Sequence, residues 1–224
     1  MTTIVRETKG GLSTLVRQPQ SEGDPKGIII LLHGWGADGT DLMDLAPAMA
    51  PQLPDFIFAA PDAPEPCSAN PMGRQWFELN QDQAGLDNGP DQAQGHVRSL
   101  IEELCKGYDL GFENVALIGF SQGGMMALHT GFRLPSSIAG IVSFSGALLA
   151  PDRLEREKTS SPPVLLVHGR EDQVVPYQAL TIAEAVLKQS DVEVSSVTRE
   201  GLGHGIDGEG LEAAIAFLLE AFRQ

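Results

Sequence analysis

Apolar residues in this chain gather into short continuous runs, and between the runs they recur every three or four positions. Residues 28–32 form a β-branched and leucine run ending at His33-Gly34, residues 55–60 a second ending at Pro61, and residues 115–120 a third ending at Ser121. Residues 138–144 and 164–167 repeat the pattern, whereas residues 192–198 alternate apolar and polar. Continuous runs of this length predict strands buried on both faces of a parallel sheet, and the alternating one predicts a less buried strand. Helical spacing runs through residues 41–50, 91–108, 122–134, 177–189 and 210–222. Thr40 or Asp41 offers an N-cap for the first, and Val97, Leu100, Ile101 and Leu104 share one face of the second. The alternation predicts an α/β fold, with a mostly parallel central sheet and helices on both faces. Residues 4–17, broken at Gly10-Gly11, predict an antiparallel N-terminal hairpin at one sheet edge. Residues 61–90 break the rhythm: they are rich in Pro, Gly, Asn and Asp, hold Trp76-Phe77, and predict an irregular lobe over a functional site. With no repeat or linker in view, residues 1–224 read as a single domain.

Composition narrows the partners. A net charge of −15 argues against nucleic acid, whose phosphates need clustered Lys and Arg, and makes anionic membrane surfaces poor partners. The longest apolar runs are strand-length, so no stable membrane insertion is expected. Residues 1–10 carry no apolar signal core, and Cys67 and Cys105 lack metal-type spacing. Together these features predict a reducing, cytoplasmic setting. Cys105 falls in a helical pattern and is expected in the core, whereas Cys67, in a Pro-rich loop, is placed to be an exposed thiol.

The chemistry gathers at Gly119-Phe120-Ser121-Gln122-Gly123, a G-x-S-x-G with an apolar strand before it and a helical pattern after it. That is the setting of a nucleophile elbow, a tight strand-to-helix turn that exposes the serine and needs small neighbours. A serine hydroxyl needs an adjacent base. His33 and His168 each end a strand run and precede glycine, which suits them to shaping loops; His96 and His129 lie in helical segments. His204, in Gly203-His204-Gly205 after the last strand, is the candidate base. Asp172, just past the run 164–167, is the candidate acid that fixes the imidazole, with Glu171 as its local competitor. The order Ser…Asp…His is that of an α/β-hydrolase fold. An oxyanion hole needs two N–H donors. The backbone of Gln122 supplies one; Trp35 is the choice for the other, with Gly36 as its neighbouring alternative and a substrate-side residue. Trp76, Phe77, Val175 and Ile206 are the candidate acyl-pocket lining.

The pieces Leu32-His33-Gly34-Trp35-Gly36-Ala37-Asp38, Pro61-Asp62-Ala63-Pro64, Arg74-Gln75-Trp76-Phe77, Gly119–Gly124, His168-Gly169 through Asp172 to Val175-Pro176, and Gly203-His204 resemble the phospholipase/carboxylesterase family of α/β hydrolases. The resemblance implies hydrolysis of short- to medium-chain acyl esters, with thioester or lysophospholipid cleavage on the same machinery as the alternative. It implies a catalytic set on Ser121, Asp172 and His204, oxyanion donors on Trp35 and Gln122, and no metal or organic cofactor. Trp35 stands where many members carry leucine, which implies a narrower pocket mouth. After Ser145 the chain reads Gly146-Ala147-Leu148 where eukaryotic thioesterases tend to carry a bulky aromatic, which weakens any transfer of acyl-protein specificity. The expected partner is a small-molecule ester, and exposed edge strands would permit a homodimer. A non-catalytic ligand-binding relative is a further reading, against which the complete Ser-His-Asp set argues.

Overall fold

The structure, a computed structural model, describes residues 3–79 and 83–223, with the backbone alone for 83–87. Gly10 and Gly11 both take positive φ, 56° and 80°, as a two-residue turn in a right-twisted hairpin requires. The turn joins β1 (Ile4–Lys9) to β2 (Leu12–Arg17) in antiparallel register, Lys9 opposite Leu12. β3 (Gly27–Leu32) follows, then α1 (Gly39–Met43), α2 (Ala46–Met49) and β4 (Phe56–Pro61). The short strands β5 (Glu65–Pro66) and β6 (Arg74–Gln75) precede α3 (Gln83–Tyr108). Next come β7 (Val115–Phe120), α4 (Gln122–Gly131), β8 (Gly140–Phe144), α5 (Leu154–Glu157) and β9 (Val164–Gly169). The described chain closes with α6 (Gln178–Gln189), β10 (Val194–Arg199) and α7 (Gly208–Ala221).

Among the described residues, eight strands form one sheet in the order β1-β2-β4-β3-β7-β8-β9-β10, parallel from β4 onward, with β2 antiparallel to β4. Strand side chains alternate between faces, so one sheet feeds two cores. Ile28, Ile30, Leu32 and Leu117 pack with α3, α4 and α6 through Leu100, Leu128 and Leu187. Ile29, Leu31 and Ile118 pack on the opposite face with α1, α2 and α7 through Leu42, Met49 and Leu218. The expected α/β architecture, with helices on both faces and an N-terminal hairpin at the edge, is what the chain adopts. β10, at the other edge, is partly exposed, as its alternating pattern predicts. No helix among the described residues is long and apolar enough to cross a membrane.

Four expectations change. The N-cap of α1 is Asp38, whose side chain accepts from the Thr40 N–H at 2.7 Å, rather than Thr40 or Asp41. Residues 41–50 form two short helices rather than one, and Pro47 explains the break: it lacks an N–H to bond within a continuous helix but suits the first turn of α2. The stretch 61–90 is not irregular throughout; β5 and β6 pair within it and α3 already begins at Gln83, while residues 80–82 lie outside the described residues. Pro90 sits inside α3 and removes one intrahelical bond, and with Gly85 and Gly89 it gave the segment its loop-like sequence. Cys67 is buried, not exposed, as is Cys105.

Candidate active site

β7 lies at the centre of the sheet, with Leu32 opposite Gly119 on one side and Phe144 opposite Phe120 on the other. Just past its end, Ser121 takes φ 55° and ψ −119°, a left-handed backbone state that costs a non-glycine residue on the order of 1–3 kcal/mol. Two constraints hold it there. Its N–H donates to the Phe144 carbonyl at 2.8 Å. Its flanking glycines allow close approach: a Cβ on Gly119 would stand 2.0 Å from the Gly123 carbonyl oxygen, and one on Gly123 would stand 1.9 Å from that of Leu32. α4 starts at the next residue, so the Gln122 N–H belongs to the unpaired first turn, where the helix favours negative charge.

The loop after β3 is shaped by His33. Its Nε2 accepts from the Ala63 N–H at 3.0 Å, so its Nδ1–H donates to the Gly34 carbonyl at 2.7 Å. Burial lowers its pKa against the pull of nearby carboxylates, which matches this neutral tautomer. The Trp76 indole N–H donates to the His33 carbonyl at 2.9 Å. Trp35 is half-buried and its indole N–H donates to Gln75 Oε1 at 3.0 Å. The Gly36 N–H donates to the Arg74 carbonyl at 2.9 Å and is therefore engaged, which favours Trp35 as the donor from this loop.

Asp172 is fully enclosed past the end of β9. Its Oδ1 accepts from the N–H groups of Val174 and Val175, each at 2.9 Å, and its Oδ2 accepts from His204 Nδ1 at 2.7 Å. Burial alone would raise its pKa; the hydrogen bond from His204 and those from the two backbone N–H groups outweigh burial and hold the carboxyl below its usual range. His168, at the end of β9, donates from Nε2 to the Val175 carbonyl at 2.8 Å and braces the same turn. The Glu171 side chain is exposed, so the structure favours Asp172 as the partner of His204. The His204 ring packs on Phe120 with centroids 4.8 Å apart. With Nδ1 held by Asp172, Nε2 is the ring nitrogen left to take a proton.

Ser121, Gln122, Trp35 and His204 line one cavity of about 400 Å³, with Leu79, Phe120, Met125, Val174 and Val175 as apolar walls. A second cavity of about 280 Å³ shares His204, Phe120 and Asp41 with the first and adds Leu42, Leu45 and Ile206. Val175 and Ile206 therefore face the site, in different cavities. Trp76 and Phe77, expected to line the acyl pocket, are buried in the core beneath it instead, among the α3 and α4 side chains, and Gly36 is not among the residues lining either cavity.

Fold and sequence both find counterparts among known proteins. The profile of the phospholipase/carboxylesterase family matches residues 16–221. The chain belongs to this family. It is a hydrolase of the esterase or thioesterase kind. The crystal structure of esterase PE8 is 39% identical, with a TM-score of 0.89 over 94% of this chain and 99% of that one. Esterase YpfH of Escherichia coli (strain K12) is 29% identical, covering 85% of this chain and 81% of its own length. An acyl-protein thioesterase 1 of Mycosarcoma maydis is 28% identical, covering 92% and 96%.

In this phospholipase/carboxylesterase family member, several contributors had gone unseen. The Gln122 side chain accepts from the Trp76 N–H at 2.9 Å and donates to the Phe77 carbonyl at 2.7 Å, locking the lobe to α4. Phe120 and Met125 line the cavity from one residue before and one helical turn after Ser121, positions the motif itself indicates. Leu79, Val174 and Asp41 carry no such signal.

Proposed function

We propose that the protein cleaves short- to medium-chain carboxylic esters through an acyl-enzyme, with Ser121 as nucleophile, His204 as general base and then acid, and Asp172 as the group that orients and stabilises the imidazolium. The observation that carries this reading is the 2.7 Å bond from His204 Nδ1 to Asp172 Oδ2 at the cavity that also holds Ser121 in its strained elbow. Ser121 Oγ attacks the ester carbonyl as His204 Nε2 takes its proton. The backbone N–H groups of Trp35 and Gln122 stabilise the oxyanion. The alcohol leaves with the proton from His204, and water activated by the same ring frees the acid and restores Ser121.

The cavity volume of about 400 Å³ lies toward the lower end of ligand pockets, about 300–1,000 Å³, which supports small acyl groups. Thioester cleavage on the same machinery is the second reading, favoured by similarity to a chain named acyl-protein thioesterase 1. The test is a p-nitrophenyl ester series of rising acyl length, run beside matched thioesters and a serine-reactive fluorophosphonate. Turnover falling beyond medium chains, with label on Ser121 and none on Ser121→Ala, is the expected result. Label elsewhere, or full activity in Ser121→Ala, would overturn it.

A further inference from the structure

We infer that Asp41 selects substrates by charge, favouring esters whose leaving alcohol is neutral or cationic and disfavouring those whose alcohol is anionic. This inference rests on the acyl-transfer reading above. In that chemistry the alcohol oxygen is the atom His204 must protonate, so the alcohol lies on the His204 side of the ester and the acyl group on the Ser121 side. Ser121, Trp35 and Gln122 line the larger cavity, whereas the smaller one reaches the site through His204 and Phe120. The smaller cavity is therefore the space next to the departing alcohol. Its walls are Leu42, Leu45, Phe120 and Ile206, which suit a compact apolar body.

Asp41 lines both cavities and is exposed, so an alcohol held in either cavity shares its walls with Asp41. Among the described residues lining the two cavities it is the one carboxylate, and no Lys or Arg is among them. Arg6, which reaches Thr40 next door, is engaged by Asp62 at 2.6 Å. The chain's net charge of −15 adds a field of the same sign.

Three butyrate esters test this: choline butyrate, its uncharged carbon isostere neohexyl butyrate, and sulfopropyl butyrate. Each is assayed for kcat/KM on the wild type, on Asp41→Asn, and on Asp44→Asn, an exposed acid at the C-terminal end of the same helix α1 that lines neither cavity. Comparing variant with wild type for each ester cancels the intrinsic reactivity of the alcohol. Asp41→Asn should lower the cationic-to-neutral ratio about two- to five-fold and raise the anionic-to-neutral ratio by a similar factor, the range of an exposed charge pair. Asp44→Asn should leave both ratios within about 1.5-fold. In the wild type, raising salt from about 0.01 M to about 1 M should compress the ratios, because the screening length falls from about 30 Å to about 3 Å. Ratios unchanged by Asp41→Asn, or moved equally by Asp44→Asn, would overturn charge selection at Asp41 while leaving the esterase reading intact. No turnover of any of the three esters would overturn both.

Discussion

On the Ser121 side of the cavity, geometry is set within a few residues of chain. Gly119 and Gly123 let the backbone close to within a Cβ radius, central strand β7 delivers Ser121 at its C-terminal end, and the turn after β9 wraps Asp172 in the N–H groups of Val174 and Val175. On the lobe side, position comes from contacts made across long stretches of sequence. Trp76 is held by Gln122 and His33, Trp35 by Gln75, and Arg74 by the carbonyls of Ala63 and Pro64. Local strain and local hydrogen bonds thus build the end proposed to react, and a buried polar lattice builds the surface beside it. Substitutions on the two sides should therefore fail in different ways: the first in rate with the fold intact, the second in stability and substrate fit together.

The sharpest separation is expected at Asp172. Asp172→Asn keeps the volume and the contacts to Val174 and Val175 but favours the wrong His204 tautomer, and kcat should fall by about ten-thousand-fold with little change in thermal midpoint. Glu171→Gln, one residue away and exposed, should change kcat by less than about two-fold. Equal losses in the two variants would remove the local account of the reacting end.

This contrast also explains what could be read from the chain alone. The elbow was legible because G-x-S-x-G between a strand run and a helical run has few ways to fold, and His204 because it sits in a glycine-rich loop after the last strand. The sheet was legible because runs such as 115–120 are continuous, as burial on both faces requires. Trp76 and Phe77 were misplaced because adjacency to a motif says nothing about which way a side chain turns. Their burial beneath the cavity depends on Gln122, whose side-chain role is masked by its place in the nucleophile motif. The start of α3 was hidden because Gly85, Gly89 and Pro90 outweigh, as local signals, the tertiary packing that makes the segment helical.

Gln122→Leu probes the lattice directly. The Gln122 backbone N–H remains, but the buried Trp76 N–H and Phe77 carbonyl lose their partner. Two unsatisfied buried groups should lower unfolding free energy by about 2–5 kcal/mol in urea titration. Displacement of the lobe should lower kcat/KM by about ten- to a hundred-fold. Full stability in this variant would show that the lobe holds its place without the clamp.

A smaller effect, separable by pH, is expected at His129 on α4. Its Nε2 meets Asp91 of α3 at 2.8 Å, but burial first, and then the charges of Arg133 and Arg153, push its pKa down to about 4. The unfolded chain, with a histidine pKa near 6.5, therefore takes up a proton below about pH 6.5 that the folded chain refuses until near pH 4. Acidification through that window favours unfolding, and between about pH 7 and pH 5 the share from His129 should be about 2 kcal/mol. His129→Gln, which retains a donor toward Asp91, should flatten the stability profile by that amount; superimposable profiles would show that His129 is not the titrating group.

The smallest expected effect is the one that best divides the two sides, because Trp35 belongs to both. Its backbone N–H is the proposed oxyanion donor, while its indole N–H reaches into the lobe at Gln75 Oε1, which also accepts from the Ser68 N–H at 3.1 Å. Trp35→Phe removes the second contact and keeps the first. Because Gln75 Oε1 retains Ser68, the loss in stability should be only about 1 kcal/mol. Because the side chain also lines the cavity, KM should shift with acyl length, while kcat on the best ester stays within about three-fold. A collapse of kcat with KM unchanged would mean that the indole, and not the peptide N–H, meets the transition state, and the boundary between reacting end and lobe would then run through the other side of Trp35.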